Sequence, residues 1–91
     1  MIDRITVYNL IDGEREYQDA RWKESISPFG VRQHSATEWL VYMQDYLTEA
    51  MHTASRETDS HCNPRIMASI RKITAMGVAA MEQLGAPRRE A

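Results

Sequence analysis

The sequence predicts an all-α fold: a three-helix chain with a long antiparallel helical hairpin, assembling with further copies into an oligomeric helical bundle. Helix-start and helix-stop residues bracket two long segments without interior prolines. The C-terminal segment also carries an apolar stripe too wide for one small chain to cover. With 91 residues and 10.5 kDa, the chain is expected to be a single helical domain, 1–91.

The first helix is predicted over about residues 3–22. Ile5, Tyr8 and Ile11 keep helical spacing until Gly13 interrupts the run. A glycine inside a helix costs about 1 kcal/mol relative to alanine, so a continuous helix and a helix broken at Gly13 are both open. The following segment, 23–35, contains Pro28 and is predicted to be a loop.

The second helix is predicted over residues 36–54. Ser35 and Glu38 have the spacing of a capping box, in which each satisfies a backbone N–H of the other. One face of this helix is apolar and carries Trp39, Met43, Tyr46, Leu47 and Ala50. Residues 55–63 turn polar and are predicted to form the second loop.

The third helix is predicted over residues 64–84. Asn63 is a favourable N-cap residue, and Pro64 follows at the first helical position, where its missing N–H costs nothing. Gly85 is a typical C-terminal stop. The helix is expected to place one stripe of residues toward its neighbours: Ile66, Ile70, Ile73, Gly77, Ala80, Met81 and Leu84.

The width of that stripe predicts self-association. With its flanking methionines and valine, the apolar arc covers about 200° of the helix circumference, against roughly 100° for an ordinary surface helix. Gly77 at its centre would let another backbone approach closely. We therefore expect a homo-oligomer, a dimer or higher.

Charge and composition exclude several classes of protein. A net charge of −2 and a pI near 5.9 argue against direct DNA binding, which usually needs a basic surface. Cys62 is the single cysteine, so a disulfide within the chain is excluded and a cytoplasmic location is expected. His61 and Cys62 do not make a zinc site by themselves. No apolar run approaches the roughly 20 residues that cross a bilayer.

Acidic residues on the second helix form a candidate binding site. Glu38, Asp45 and Glu49 fall within about 40° of one another around the helix axis, and Tyr42 lies beside them. Carboxylates in this pattern can share Mg²⁺, which in turn holds the phosphates of a nucleotide. The alternative interpretation is an ordinary solvated helix edge.

Arg71 and Lys72 on the third helix are the candidate phosphate-binding cations. They point in different directions because they are consecutive on a helix. They are either solvated side chains or groups that hold a phosphate or pair with an acidic site of a neighbouring subunit.

A longer pattern in the first helix resembles a known group of proteins. The segment 14–22 reads ER-x-x-QD-x-x-W, which resembles the opening of small proteins of tailed phages and prophages. Some of those are similar to the MazG-like all-α nucleotide pyrophosphohydrolases. Their second helix carries W-L…EE-x-x-E, and here Trp39-Leu40 is followed by Asp45, Tyr46 and Glu49.

The resemblance implies only half of a metal site. Asp45 and Glu49 match two metal ligands of the family, and Tyr46 replaces the acid between them. The second family motif, E-x-x-D, would fall at Ser69 and Lys72, of which neither can bind a cation well. Lys72 could instead replace the metal charge and hold a phosphate directly.

These features predict a non-catalytic phage-type accessory protein without a cofactor. It would bind a nucleotide, cyclic nucleotide or phosphorylated signal at a subunit interface, and could act as a counter-defence sponge. The ligand-binding residues of this hypothesis are Trp39, Tyr42, Asp45, Glu49, Arg71 and Lys72. One alternative is a Mg²⁺-dependent MazG-like pyrophosphohydrolase with Glu38, Asp45 and Glu49 as ligands. The other is an anti-defence inhibitor that acts by protein–protein contact.

Overall fold

The computed structural model describes residues 1–24, 33–57 and 63–90. The described chain is all-α and contains three helices, which we number α1 (Arg4–Glu24), α2 (Ala36–Ser55) and α3 (Pro64–Leu84). Most of the loop 23–35 and half of the loop 55–63, including His61 and Cys62, lie outside the described residues.

The helix α1 begins after Asp3, whose carboxylate accepts a hydrogen bond from the Thr6 N–H at 2.9 Å. The helix continues through Gly13 without a break. A Cβ added at Gly13 would meet no other atom within 4 Å, so close packing does not require this glycine. The first half of α1, up to Leu10, is exposed along its whole length.

The start of α2 has the capping box that its sequence predicts. The Ser35 hydroxyl accepts from the Glu38 N–H at 3.1 Å, and the Glu38 carboxylate accepts from the Ser35 N–H at 3.0 Å. His34, just before the cap, is buried and makes edge-on contacts with the rings of Trp39 and Tyr42. The side chain of His34 is therefore part of the packing at this end of α2.

Both ends of α3 are capped by the residues next to them. The Asn63 side chain accepts from the N–H groups of Arg65 and Ile66. Gly85 has a φ of 74° and donates its N–H to the Met81 carbonyl at 2.8 Å. Because this φ is positive, a residue with a side chain would be strained at position 85.

The central helix of the fold is α3, which packs against both α1 and α2. Residues near the start of α2 contact residues near the end of α3, as Trp39 does with Gln83. Further along, the Met43 methyl lies over Gly77, 3.6 Å from where a Cβ would stand.

The buried side of α3 differs from the stripe that its periodicity indicates. The buried residues of α3 are Ala75, Met76 and Ala79, and they form the apolar core of the described chain with Trp39. Three members of the expected stripe, Ile70, Met81 and Leu84, remain between 42% and 50% exposed. The contacts of α1 with α3 fall elsewhere around the helix: Arg71 and Glu82, which bond Glu14 and Arg15, lie about 120–140° from Gly77 at the centre of the stripe.

Candidate functional site

Arg15 is the most heavily bonded side chain between α1 and α3. Its guanidinium donates to Glu82 at 2.6 Å, to Asp19 at 2.8 Å and to the Gln18 amide oxygen at 3.2 Å, and it lies over the Trp22 ring. Burial alone lowers the pKa of Arg15, but its bonds to Glu82 and Asp19 outweigh that effect and raise it. Arg15 therefore stays charged and fastens α1 to α3.

Two further polar contacts join the same helices. Arg71 donates to the Glu14 carboxylate at 2.8 Å, and the Gln18 amide donates to the Lys72 carbonyl at 3.2 Å. Glu14 is the buried partner of its pair, since its side chain is 7% exposed and that of Arg71 is 47% exposed. We call Glu14, Arg15, Gln18, Arg71 and Glu82 the crossing cluster.

The crossing cluster explains most of the ER-x-x-QD-x-x-W pattern. Glu14, Arg15, Gln18 and Asp19 all take part in it or bond to it. The final tryptophan, Trp22, contacts Arg15 and the ring of Trp39 at 6.2 Å. In this structure the pattern serves to hold one helix against another.

A groove runs beside the crossing cluster and consists of two adjoining depressions of about 570 and 290 Å³. We call it the α1–α3 groove. Glu14, Tyr17 and Lys72 line both depressions. The larger one is otherwise lined by Leu10, Gly13, Ala68, Ser69 and Arg71. The smaller one is otherwise lined by Gln18, Arg21, Trp22, Tyr46 and Met76.

The groove has an excess of positive charge. The Lys72 ammonium lies 5.5 Å from the centre of the Tyr46 ring, which favours a cation over its face. Within residues 1–24, 33–57 and 63–90, no carboxylate lies within ion-pair distance of Lys72 or Arg21. Arg71 neutralises Glu14, so Lys72 and Arg21 supply uncompensated charge to the groove.

The acidic edge of α2 lies next to this groove. Asp45, Glu49, Tyr42 and Tyr46 line a shallow depression of about 340 Å³. Glu49 and Lys72 both line the adjacent depression between α2 and α3. The structure thus brings Glu49 near Lys72 and Asp45 near Tyr42.

The described residues do not assemble a metal site. No three His, Cys, Asp or Glu side chains in that part of the chain are placed to hold one ion. Glu38, one of the three expected ligands, uses a carboxylate oxygen to cap α2. The geometry therefore does not favour the Mg²⁺ interpretation of Glu38, Asp45 and Glu49.

Trp39 cannot receive a ligand in this structure. Its side chain is 2% exposed, and its indole N–H donates to the Gln83 amide oxygen at 3.0 Å. Trp39, one of the expected ligand-binding residues, thus lies in the apolar core of the described chain. Tyr42 is half-buried and packs against the same core.

The sequence analysis did not identify the groove residues on α1. Tyr17 and Arg21 are four residues apart and so share one side of the helix. Trp22 and Tyr46 complete the aromatic lining. The spacing of Tyr17 and Arg21 is a signal that could have been found, but nothing in it indicates that this side lies opposite Lys72.

None of the described helices has both the length and the hydropathy of a membrane-crossing segment.

Comparison with protein families, with characterised proteins and with solved structures finds no match to this chain.

Proposed function

We propose that this protein is a non-catalytic binder of a phosphorylated aromatic ligand, of which a nucleotide or cyclic nucleotide is the natural example. The α1–α3 groove would hold the ligand. The observation that carries the proposal is the pair of uncompensated cations, Lys72 and Arg21, in a groove lined by three aromatic residues, Tyr17, Trp22 and Tyr46.

The two kinds of side chain suit the two halves of such a ligand. Lysine and arginine bind phosphate oxygens through charge-assisted hydrogen bonds. Aromatic side chains stack on nucleobases, a contact worth about 1–3 kcal/mol per base in proteins that bind single strands. The groove's depressions of about 290 and 570 Å³ match the roughly 300–1,000 Å³ of pockets that bind small molecules.

Binding without catalysis is part of this proposal. In the resemblance to MazG-like enzymes, Lys72 stands where the family has a metal-binding aspartate. An ammonium at this position supplies the positive charge that the metal would otherwise bring to the phosphates. Asp45 and Glu49 would then form the acidic rim of the site.

The biological setting follows from the same resemblance. A small phage-type protein that binds a nucleotide signal in a host cytoplasm could lower its free concentration, and so act as a counter-defence sponge. Direct DNA binding does not fit a chain of net charge −2.

We also propose the architecture in which this site is presented. The contacts of Trp39 with Gln83 and of Met43 with Gly77 support an antiparallel hairpin of α2 and α3. The exposed Ile70 and neighbouring apolar side chains support a homo-oligomer of such hairpins.

The experiment is a binding screen without divalent metal. ATP, GTP, cyclic mononucleotides and cyclic dinucleotides are added in the presence of EDTA, and the melting temperature is recorded. A binder should raise the melting temperature, and Lys72→Ala and Arg21→Ala should each weaken its affinity about tenfold or more. Arg65→Ala is the matched control, because Arg65 is an exposed cation of α3 outside the groove.

The proposal fails if no nucleotide shifts the melting temperature, or if Arg65→Ala weakens binding as much as Lys72→Ala does. A second assay adds Mg²⁺ and follows hydrolysis of nucleoside triphosphates. Turnover that disappears in Asp45→Ala would overturn the non-catalytic proposal and favour the pyrophosphohydrolase.

A further inference from the structure

An uncharged apolar surface extends over α2 and α3. Eight large apolar side chains on these helices are between 42% and 66% exposed, and all of them except Val41 belong to this surface. The seven that belong to it are Leu40, Leu47 and Met51 on α2, and Met67, Ile70, Met81 and Leu84 on α3. We call these seven residues the α2–α3 face.

The position of these residues around each helix follows from the contacts between α2 and α3. Trp39 on α2 points toward α3 because it bonds Gln83. Leu40 comes one residue later, about 100° further around the helix. Leu47 has the same relation to Tyr46, whose ring lies beside the Lys72 ammonium.

On α3 the corresponding residues lie near Gly77. Ile70 and Met81 fall within about 40° of Gly77 around the axis, and about 100° or more from Glu82, which bonds Arg15 of α1. Because α2 and α3 run in opposite directions, these rotations place the α2 residues and the α3 residues of the face on the same side of the helix pair. That side points away from α1.

The charged residues of the helix pair lie elsewhere except for Arg71, which borders the face beside Met67 and is bonded to Glu14. The same rotation places Asp45 and Glu49 on the far side of α2 from Leu47. The polar positions among the apolar rows, Gln44 and Thr74, carry no charge. The face is therefore continuous and without charge, and nothing on it would select an oppositely charged partner.

The size of the face fits a dimer interface. The exposed parts of the seven side chains amount to roughly 700 Å², above the ~300–600 Å² of the largest patch on a typical monomer. A standard interface buries about 800 Å² on each partner. The buried apolar core of the described residues is small, only Trp39, Ala75, Met76 and Ala79, so this part of the chain would gain stability from apolar surface buried against a partner.

We infer that a second copy of this chain covers the α2–α3 face, with α2 and α3 of each copy packed against those of the other about a two-fold axis. A two-fold axis places the same patch on both sides, so an apolar, uncharged patch is complementary to itself. The result is a four-helix arrangement with α1 of each copy on the outside.

Light scattering at micromolar concentration tests this inference with two variants. Wild-type protein should have the mass of two chains or an even multiple, and Ile70→Lys should lower the mass at least twofold. Ile5→Lys is the matched control, since Ile5 is an exposed isoleucine of α1 outside the face, and it should leave the mass unchanged.

A crosslinking experiment keeps the test independent of how Ile70→Lys folds. Gln44→Cys, made in a Cys62→Ser background, should yield a covalent dimer with a short bismaleimide, whereas Lys23→Cys should not. A wild-type mass of one chain would overturn the inference. It would also be overturned by an oligomer that survives Ile70→Lys in folded protein, or by equal crosslinking of the two cysteine variants.

Discussion

A single amide oxygen ties the start of α2 to the end of α3. The side-chain oxygen of Gln83 accepts the backbone N–H of His34 at 3.1 Å and the indole N–H of Trp39 at 3.0 Å. Both donor residues are almost fully buried, with 1% and 2% of their surface exposed. Water therefore cannot easily replace this acceptor if it is removed.

We predict that Gln83→Met destabilises the protein by about 2–4 kcal/mol. Methionine keeps the length and helix propensity of glutamine but accepts hydrogen bonds poorly. Each buried donor that loses its acceptor costs about 1–3 kcal/mol, and two donors share this one. At roughly 0.05–0.15 kcal/mol per residue, a chain of this size has a free energy of unfolding of about 5–14 kcal/mol in total. The predicted loss is a large fraction of that stability.

Urea denaturation followed by circular dichroism measures this loss, at one fixed protein concentration because association contributes to stability. Gln33→Met is the control: the Gln33 amide is exposed and donates to the Gln83 carbonyl at 3.3 Å, so its loss should cost less than about 0.5 kcal/mol. The indole proton of Trp39 should also shift in the NMR spectrum of Gln83→Met. A cost below about 0.5 kcal/mol with an unchanged indole proton would refute the argument.

Three further predictions concern charges and helix caps. Arg71→Met should lower the free energy of unfolding by about 1–2 kcal/mol, because it leaves the buried Glu14 carboxylate without its partner. A double-mutant cycle with Glu14→Gln should show that the two residues are coupled, and strictly additive losses of stability would contradict this. Ser35→Ala should cost about 1 kcal/mol in urea denaturation, because it removes the hydroxyl of the α2 capping box. Hydrogen bonds from Thr6 hold the pKa of Asp3 below its ordinary value of 3.8. The cap of α1 is therefore fully stabilising above about pH 4 and lost as the pH falls through the lowered pKa. The protection of the Thr6 amide, its exchange rate relative to the intrinsic rate at the same pH, should fall there.

The ends of α2 and α3 could be predicted from sequence because their signals are local. A capping box needs only the four residues from Ser35 to Glu38, and a terminal glycine such as Gly85 acts through its own φ. These interactions do not depend on where the rest of the chain lies. The continuity of α1 through Gly13 was left open, since the cost of one glycine is smaller than the gain from packing the residues on either side.

The buried side of α3 could not be predicted in the same way. Periodicity indicates that the row containing Ile70 is the more apolar one, and by hydrophobicity alone that row should be buried. The docking of α1 depends instead on polar partners distant in sequence. Arg15 and Glu82 are 67 positions apart, and no local pattern distinguishes a buried arginine from a solvated one.

Part of the candidate site could be predicted from the sequence. Lys72 could be identified because it interrupts an apolar helix and because the resemblance places it at a metal-ligand position. Its partners on α1, Tyr17 and Arg21, depend on how α1 crosses α3, which the crossing cluster determines. The burial of Trp39 could not be predicted for the same reason, since a tryptophan on an amphipathic helix can either bind a ligand or fill the core.

The arrangement around α3 makes a final prediction about how binding and association are related. The sequence suggested a ligand site between subunits, but Tyr17, Arg21 and Lys72 all line the groove within one chain. The α2–α3 face lies on a different side of α3, about 160° from Lys72. We therefore expect folded, dissociated Ile70→Lys to bind the same nucleotide within about threefold of wild-type affinity by calorimetry. A loss of tenfold or more in that variant would mean that a second subunit completes the site, and the groove would then have to be placed at the interface after all.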